Sequence, residues 1–415
     1  MKNDPHLRIG IVGAGAAGLA AAEALRAKGY ANVTILEKEA FAGGKCRSIE
    51  YDGRTYEIGA GIIAENCTAI KKLARKYAVE VARVKYGETL FIDAHTGLPQ
   101  KERTTLVERI SLLAQILLRY RKLVRRFYRN KNPGLSRMDA EFCLPFSEWT
   151  VRNGVTLIEK QLAPFFVGFG YGYFDEVPTA YVLKHYSWET IRSFIAEKLY
   201  TFPNGIQHLW TAVAKDHDVR YGTTIRSIVR GDAVTVRTDT GEHAFDRIIL
   251  TSPLDESLGY MDATAEEKNL FSKIEYVDYR TCAVLLKDFP KLDGYVPGNF
   301  ISTRKGHPLF WHHQHEDSDF YAFYVMGDFK MSDEEVLQRI RHLVQKMGGS
   351  VVSPHSVTHW KYFPHVSCEE MQNGYFDKLE ALQGEHHTYF AGELLNFSTV
   401  EHTADYARKL VETHF

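Results

Sequence analysis

Residues 8–39, RIGIVGAGAAGLAAAEALRAKGYANVTILEKE, limit what this chain can fold into more than any other stretch. Arg8–Val12 reads as a buried strand, and alanine-rich Ala16–Lys28 as a helix that Gly29 is placed to stop. Val33–Leu36 is a second short apolar run, so the order predicts a βαβ unit. Gly13, Gly15 and Gly18 sit between strand and helix in the spacing G-x-G-x-x-G. The first glycine permits a tight turn, the second lets a pyrophosphate reach the backbone, and the third lets helix and strand pack closely. A helix N-terminus there offers free N–H groups and the positive end of a dipole. Glu37 closes the second strand, where a carboxylate accepts ribose hydroxyls and repels a 2′-phosphate. Lys2 and Arg8 ahead of the run ending in Ala20–Ala22 also have the outline of a secretory leader, but the glycine spacing explains the same residues better.

A chain of 415 residues exceeds one ordinary core and predicts two domains, or one large domain with an insertion. Its 45% hydrophobic and 25% charged residues are those of a globular protein, and a formal charge of −1 argues against nucleic acid as a partner. Cys46, Cys67, Cys143, Cys282 and Cys368 are scattered and form no C-x-x-C pair, which predicts a reduced, cytoplasmic setting. No apolar run approaches the length of a membrane span.

Farther along, Leu106, Ile110, Leu113, Leu117, Tyr120, Val124 and Phe127 recur at steps of four and three. They predict one helix with one apolar face over 104–131, closed by Pro133-Gly134. Within it, RYRKLVRRFYRNK (119–131) holds seven basic residues and no acid. Such a run is most often a solvated face, and otherwise a peripheral contact to an anionic membrane. Helical patterns continue over about 146–199, strands return at 219–251, 279–286 and 308–329, and Ser332 opens a helix to Met347. The histidines of HHQH (312–315) lack ligand partners at metal-site spacing, so no metal is predicted.

Two more glycine turns narrow the dinucleotide. GGKCRS (43–48) offers a second close backbone approach with Lys45 available to a phosphate, and YEIGAGII (56–63) leaves room for a flat ring. Near the C-terminal end, YFAGELLNFS (389–398) reads as a strand meeting Gly392-Glu393, followed by a helix that Ser398 or Thr399 caps. In this order the fingerprint, Glu37, the GG-basic turn and the AGE segment resemble the flavin amine oxidase superfamily. That resemblance implies an α/β fold, an α+β two-domain flavoprotein. Its Rossmann-like FAD-binding domain is of the p-hydroxybenzoate-hydroxylase and amine oxidase type, assembled from 1–70, 205–255 and 375–415. A substrate domain of mixed sheet plus helical cap would come from 71–204 and 256–374. The implied FAD contacts are Gly13, Gly15, Ala16, Ala17, Gly18, Glu37, Lys38, Gly43, Gly44, Lys45, Gly59, Ala60, Gly61, Ile62, Ile225, Gly392, Glu393, Thr399 and Val400. His365 and His402 are placed near the flavin by the same likeness.

Within that superfamily, PFFVGFGYGYFDEVPTAYVLKHY (164–186), WKYFPHVSCEEM (360–371) and the segment from Tyr389 onward are similar to the flavin-dependent polyenoic fatty acid isomerases. The likeness implies a free polyunsaturated fatty acid of the linoleate type as substrate and conversion to a conjugated diene without net redox change. Hydride would move to flavin N5 and return to another carbon, a reaction that favours apolar walls and aromatic faces. Phe169, Tyr171 and Trp360 are the implied aromatic walls, and Phe194 falls at the family's tunnel gate. The family's carboxylate-pairing Arg has no counterpart: Glu88 stands there with Lys85 nearby, which leaves Arg192 as a candidate anchor. The residues also leave open an FAD-dependent oxidase or desaturase, with Trp360 and Tyr362 as part of a cage and Lys361 beside it, and a flavoprotein that only binds.

Overall fold

The computed structural model describes residues 4–84, 87–100, 105–129 and 134–415, so Lys85, Pro133 and residues 130–131 of the basic run lie outside it. The βαβ unit forms as expected: β1 (Ile9–Val12), α1 (Ala16–Ala27) and β2 (Val33–Leu36). β1 pairs in parallel with β2 and with Arg247–Leu250, which pairs in turn with Thr388–Phe390; Asp218–Arg220 extends the other edge. This five-stranded sheet thus draws on widely separated stretches of chain. Its inner strands Ile9–Val12 and Arg247–Leu250 are short and mostly apolar, as in a parallel sheet covered on both faces. α1 packs with the C-terminal helix Val400–His414, and Tyr30 donates its hydroxyl proton to the Phe415 carbonyl (2.7 Å).

A second sheet has six strands, in the order Ser350–His365, Glu275–Lys287, Phe320–Met326, Pro308–His312, Asp293–Tyr295 and Thr89–Phe91. It is antiparallel except for its last pair. Alternation gives the sheet two unlike faces. Cys282, Val284, Phe323 and Val325 pack with the helix Asp333–Lys346, which opens on the capping box of Ser332 and Glu335. Tyr279 and Tyr324 project to the opposite face, toward the first domain's glycine turns. The buried Arg280 guanidinium fixes the helix-side face. It pairs with Asp278 (2.8 Å) and Asp333 (3.1 Å) and donates to the carbonyls of Asp328 and Met331.

The single apolar face expected over 104–131 is not what forms. The helix runs as Leu106–Ala114, a π-helical stretch Gln115–Tyr120, and Arg121–Phe127. The wider π turn rotates the apolar stripe between its two halves. Tyr120, Val124 and Phe127 are buried, whereas Leu106, Ile110, Leu113 and Leu117 face outward. Leu112 and Ile116 take their place against the core. Among the described residues, no helix is long and apolar enough to cross a membrane. The five cysteines are free thiols.

Replacing Arg280 by Ala leaves the Asp278 carboxylate buried without its partner. Arg280→Ala is expected to lower unfolding free energy in urea by about 3–5 kcal/mol.

Candidate functional site

The glycine turns of the first domain meet. Gly15 and Gly43 form an isolated parallel bridge, and the Gly43 N–H donates to the Ala14 carbonyl (2.9 Å). Glu37 braces the contact: Oε2 accepts from the Ala14 N–H (2.6 Å) and Oε1 from the Glu39 N–H (2.8 Å). Gly18 fits only without a side chain, since a Cβ there would lie 1.9 Å from the Gly13 carbonyl oxygen. Gly59 is equally constrained, its notional Cβ falling 2.0 Å from the Lys45 carbonyl oxygen. The GAG turn is therefore pressed onto the GG-basic turn.

These turns line one end of a cavity of about 2120 Å³. That exceeds the roughly 300–1,000 Å³ of an ordinary small-molecule site, leaving room for a dinucleotide and a second molecule. All the expected FAD contacts line it except Gly18, whose part is in packing. The helix Val400–His414 points its N-terminus at the cavity, with Thr399 as N-cap accepting from the His402 N–H (3.2 Å). Just before it, buried Ser398 Oγ, on the cavity lining, has no protein partner. Glycine turns with bare backbone, an open helix N-terminus and an unpaired buried hydroxyl fit a large, polar, phosphate-bearing group such as FAD.

Lys45 differs in part from its expected use. Its ammonium pairs with Glu393 (2.8 Å) and lies 5.4 Å from the Tyr362 ring centre, instead of standing open to a phosphate. Ile225 and Lys38 line the cavity as expected. His402 also lines it, held neutral by burial that pushes its pKa down to about 3, while His365 stacks on Phe363 away from the lining.

Away from the glycine turns the cavity wall is aromatic. Tyr171 stacks on Tyr362, and parallel or nearly parallel contacts continue through Tyr279, Tyr324, Phe310 and Tyr295 to Phe91, with centres 4.2–5.9 Å apart. Lys45 marks the cofactor end of this ladder. Phe165 packs between Phe169 (5.7 Å), Phe194 (4.8 Å) and Tyr295 (6.1 Å) along the side. Trp360 also lines the cavity and donates its indole N–H to Thr281 Oγ1 (3.0 Å). Phe166, Tyr173 and Phe174, from the same aromatic run, are buried outside the lining.

Arg192 does not join the site. In the helix Trp188–Ile195 the neighbouring Ile191 is buried and Phe194 faces the cavity, so Arg192 falls on the outer, exposed side. Glu88, Arg83 and Lys160 line the cavity, and each is exposed. Arg83 donates to the Ala196 and Glu197 carbonyls, capping the end of that helix. Lys361 is committed to Asp255 and Glu256. The HHQH histidines are structural: His312 meets Asp293 (2.7 Å), His313 the Ser318 carbonyl (2.8 Å), and His315 the Thr55 carbonyl (2.9 Å).

Sequence reasoning did not assign Tyr279, Tyr295, Phe310 and Tyr324 to the wall. Aromatics alternating within strands were the available signal, but only strand pairing sets Phe310 against Tyr324 and Tyr295. Glu57 was missed as well. Burial pushes its carboxyl up to about 7, although it accepts from the Ile206 N–H (2.6 Å) and Ser48 Oγ–H (2.8 Å).

The fold and this site define a flavoprotein whose large cavity has glycine turns at one end and aromatic rings along its wall. The profile of the flavin containing amine oxidoreductase family matches residues 16–403, and the chain belongs to that family. FAD is its cofactor. Among solved structures it is similar to a CLA-producing fatty acid isomerase from P. acnes, at 30% identity over 100% of both chains and a TM-score of 0.91. A putrescine oxidase bound to putrescine shares the fold at 14% identity, covering 98% of each chain with a TM-score of 0.72. An FAD-dependent oxidoreductase of Colletotrichum higginsianum is 22% identical over 434 residues, covering 92% of this chain and 88% of its own.

Gly59→Ala is expected to displace the Lys45 turn and weaken FAD binding ~10-fold or more, read as loss of yellow flavin absorbance on gel filtration. Glu57 gives a pH test. Its carboxyl rises from 4.5 to about 7 on folding, so the folded state holds the proton more tightly. The resulting stability is full below pH 4.5 and is lost as pH rises toward about 7. Glu57→Gln should reduce the fall in unfolding free energy across that window by about 3 kcal/mol.

Proposed function

We propose that this chain is an FAD-dependent isomerase that shifts double bonds in a polyunsaturated fatty acid to give a conjugated product. The observation that carries the reading is the aromatic ladder from Tyr171 to Phe91, running from the cofactor cradle toward the cavity mouth. It is long, flat and apolar, as an extended diene requires. The similarity to the P. acnes fatty acid isomerase supports the same substrate class.

FAD, when bound, supplies hydride transfer at N5, so that hydrogen leaves one carbon of the diene and returns to another without net redox change. The chain's own residues do the rest. The apolar wall that Tyr171, Tyr362 and Tyr279 help to build keeps water from trapping the electron-poor allylic system. The N-terminus of Val400–His414 favours negative charge at the pyrimidine end of the cofactor site. Phe194, against Phe165, is the gate. Lys160 is the carboxylate anchor: it lies on the cavity lining one turn before Pro164 and Phe165, and Glu88 repels the head group from its own side. In this reading 1–70, 205–255 and 375–415 form the cofactor domain, 71–204 and 256–374 the substrate domain, and the setting is cytoplasmic.

FAD-loaded protein incubated with linoleic acid should develop the ultraviolet absorbance of a conjugated diene without NADPH and without oxygen uptake. Peroxide release with amines, and no diene, would replace this reading with an oxidase. Lys160→Gln should raise KM for the acid ~10-fold with kcat within about twofold, because the anchor acts equally on ground and transition states.

A further inference from the structure

The π-helical turn leaves an unusual surface. Leu106, Val107, Ile110, Leu113, Leu117 and Leu118 are 45–74% exposed on a single helical segment. Leu106, Ile110, Leu113 and Leu117 lie in one stripe, at spacings of four, three and four. Such a cluster is uncommon on a surface that meets only water. Immediately after it come exposed Lys122, Arg125 and Arg129, with Arg126 paired to Glu141. The nearby acids are already committed: Glu108 caps the helix through Thr105, Glu141 pairs with Arg126 (3.1 Å), and Glu159 is hydrogen-bonded to Thr150. The surface is therefore an apolar ridge with a cationic end.

Its position matters as much as its chemistry. The ridge helix packs on the helix Leu157–Phe166, and the Leu157 N–H donates to Gln115 Oε1 (3.1 Å). That second helix carries Lys160, Gln161, Pro164 and Phe165 on the cavity lining. One helix thus separates the exposed leucines from the substrate cavity.

We propose that the Leu106–Leu118 ridge and the basic turn after it seat the protein on an anionic phospholipid bilayer, with the cavity mouth beside the lipid surface. The leucines enter the headgroup–acyl boundary while the Lys and Arg side chains hold lipid phosphates, as in interfacial amphipathic helices. A basic residue at an anionic surface typically contributes about fivefold in partitioning. The purpose of the contact rests on the fatty acid reading, because such a substrate resides in lipid. The contact itself does not.

The test is co-sedimentation of the FAD-loaded chain with phosphatidylglycerol–phosphatidylcholine vesicles, against phosphatidylcholine alone. Wild type should partition onto the anionic vesicles. The Leu113→Ser, Leu117→Ser double variant should partition at least ~10-fold less with an unchanged melting profile. Leu113→Glu is the second variant, should the double variant fold poorly. Equal partitioning of wild type and variants, or no binding to anionic vesicles at low salt, would overturn the proposal. So would a concentration-dependent dimer, seen by sedimentation velocity and lost in the variants, because the ridge would then cover a second copy. The assay contains no fatty acid. A chain that binds vesicles but yields no diene keeps the docking surface and loses the substrate reading; one that yields diene but ignores vesicles does the reverse.

Discussion

The contact between two glycine turns organises everything that follows. The turn after β1 and the turn at Gly43-Gly44 touch through backbone alone, and the Glu37 carboxylate holds Ala14 and Glu39 in place around them. The glycines leave bare backbone at this end of the cavity, with no room for a side chain at Gly18. The third turn, at Gly59–Gly61, is seated on the second. Each turn restricts the next, so three short segments within residues 13–61 close into one cradle.

The second sheet supplies what the cradle lacks. Because side chains alternate along a strand, one face of that sheet can bind its helix through apolar packing and Arg280 while the other remains a wall of rings. The rings stack along the hydrogen-bonding direction, from strand to strand, so the ladder crosses the sheet instead of following one segment. This gives a flat apolar surface that begins at the cofactor end, beside Lys45 and Glu393, and ends near the exposed mouth.

Legibility in the sequence followed the range of the interactions. The βαβ unit, the three glycine turns, the Ser332 capping box and a helix start at Ser398-Thr399 depend on residues close in the chain, and each could be read directly, with the structure choosing Thr399 as the cap. The cap helices between 146 and 199 were legible for the same reason. The 104–131 helix was legible as a helix but not in its facing. A π turn hidden in Gln115–Tyr120 rotated half of its apolar stripe into solvent, and no local pattern announces such a turn. Arg192, the candidate anchor, lies close to Phe194 in sequence, but the helix sends the two side chains to different sides.

The sequence by itself determined that a dinucleotide cradle would form, because glycine spacing and a strand-ending carboxylate are properties of a single short segment. Its likeness to flavin enzymes indicated which dinucleotide. Tertiary structure alone decided that Lys45 would neutralise Glu393 and that Lys160 and Glu88 would both line the cavity. It also decided that Tyr279, Tyr324, Phe310 and Tyr295 would stack. Those outcomes depend on strand register and on distances across tens to hundreds of intervening residues. Only the packed chain sets either one.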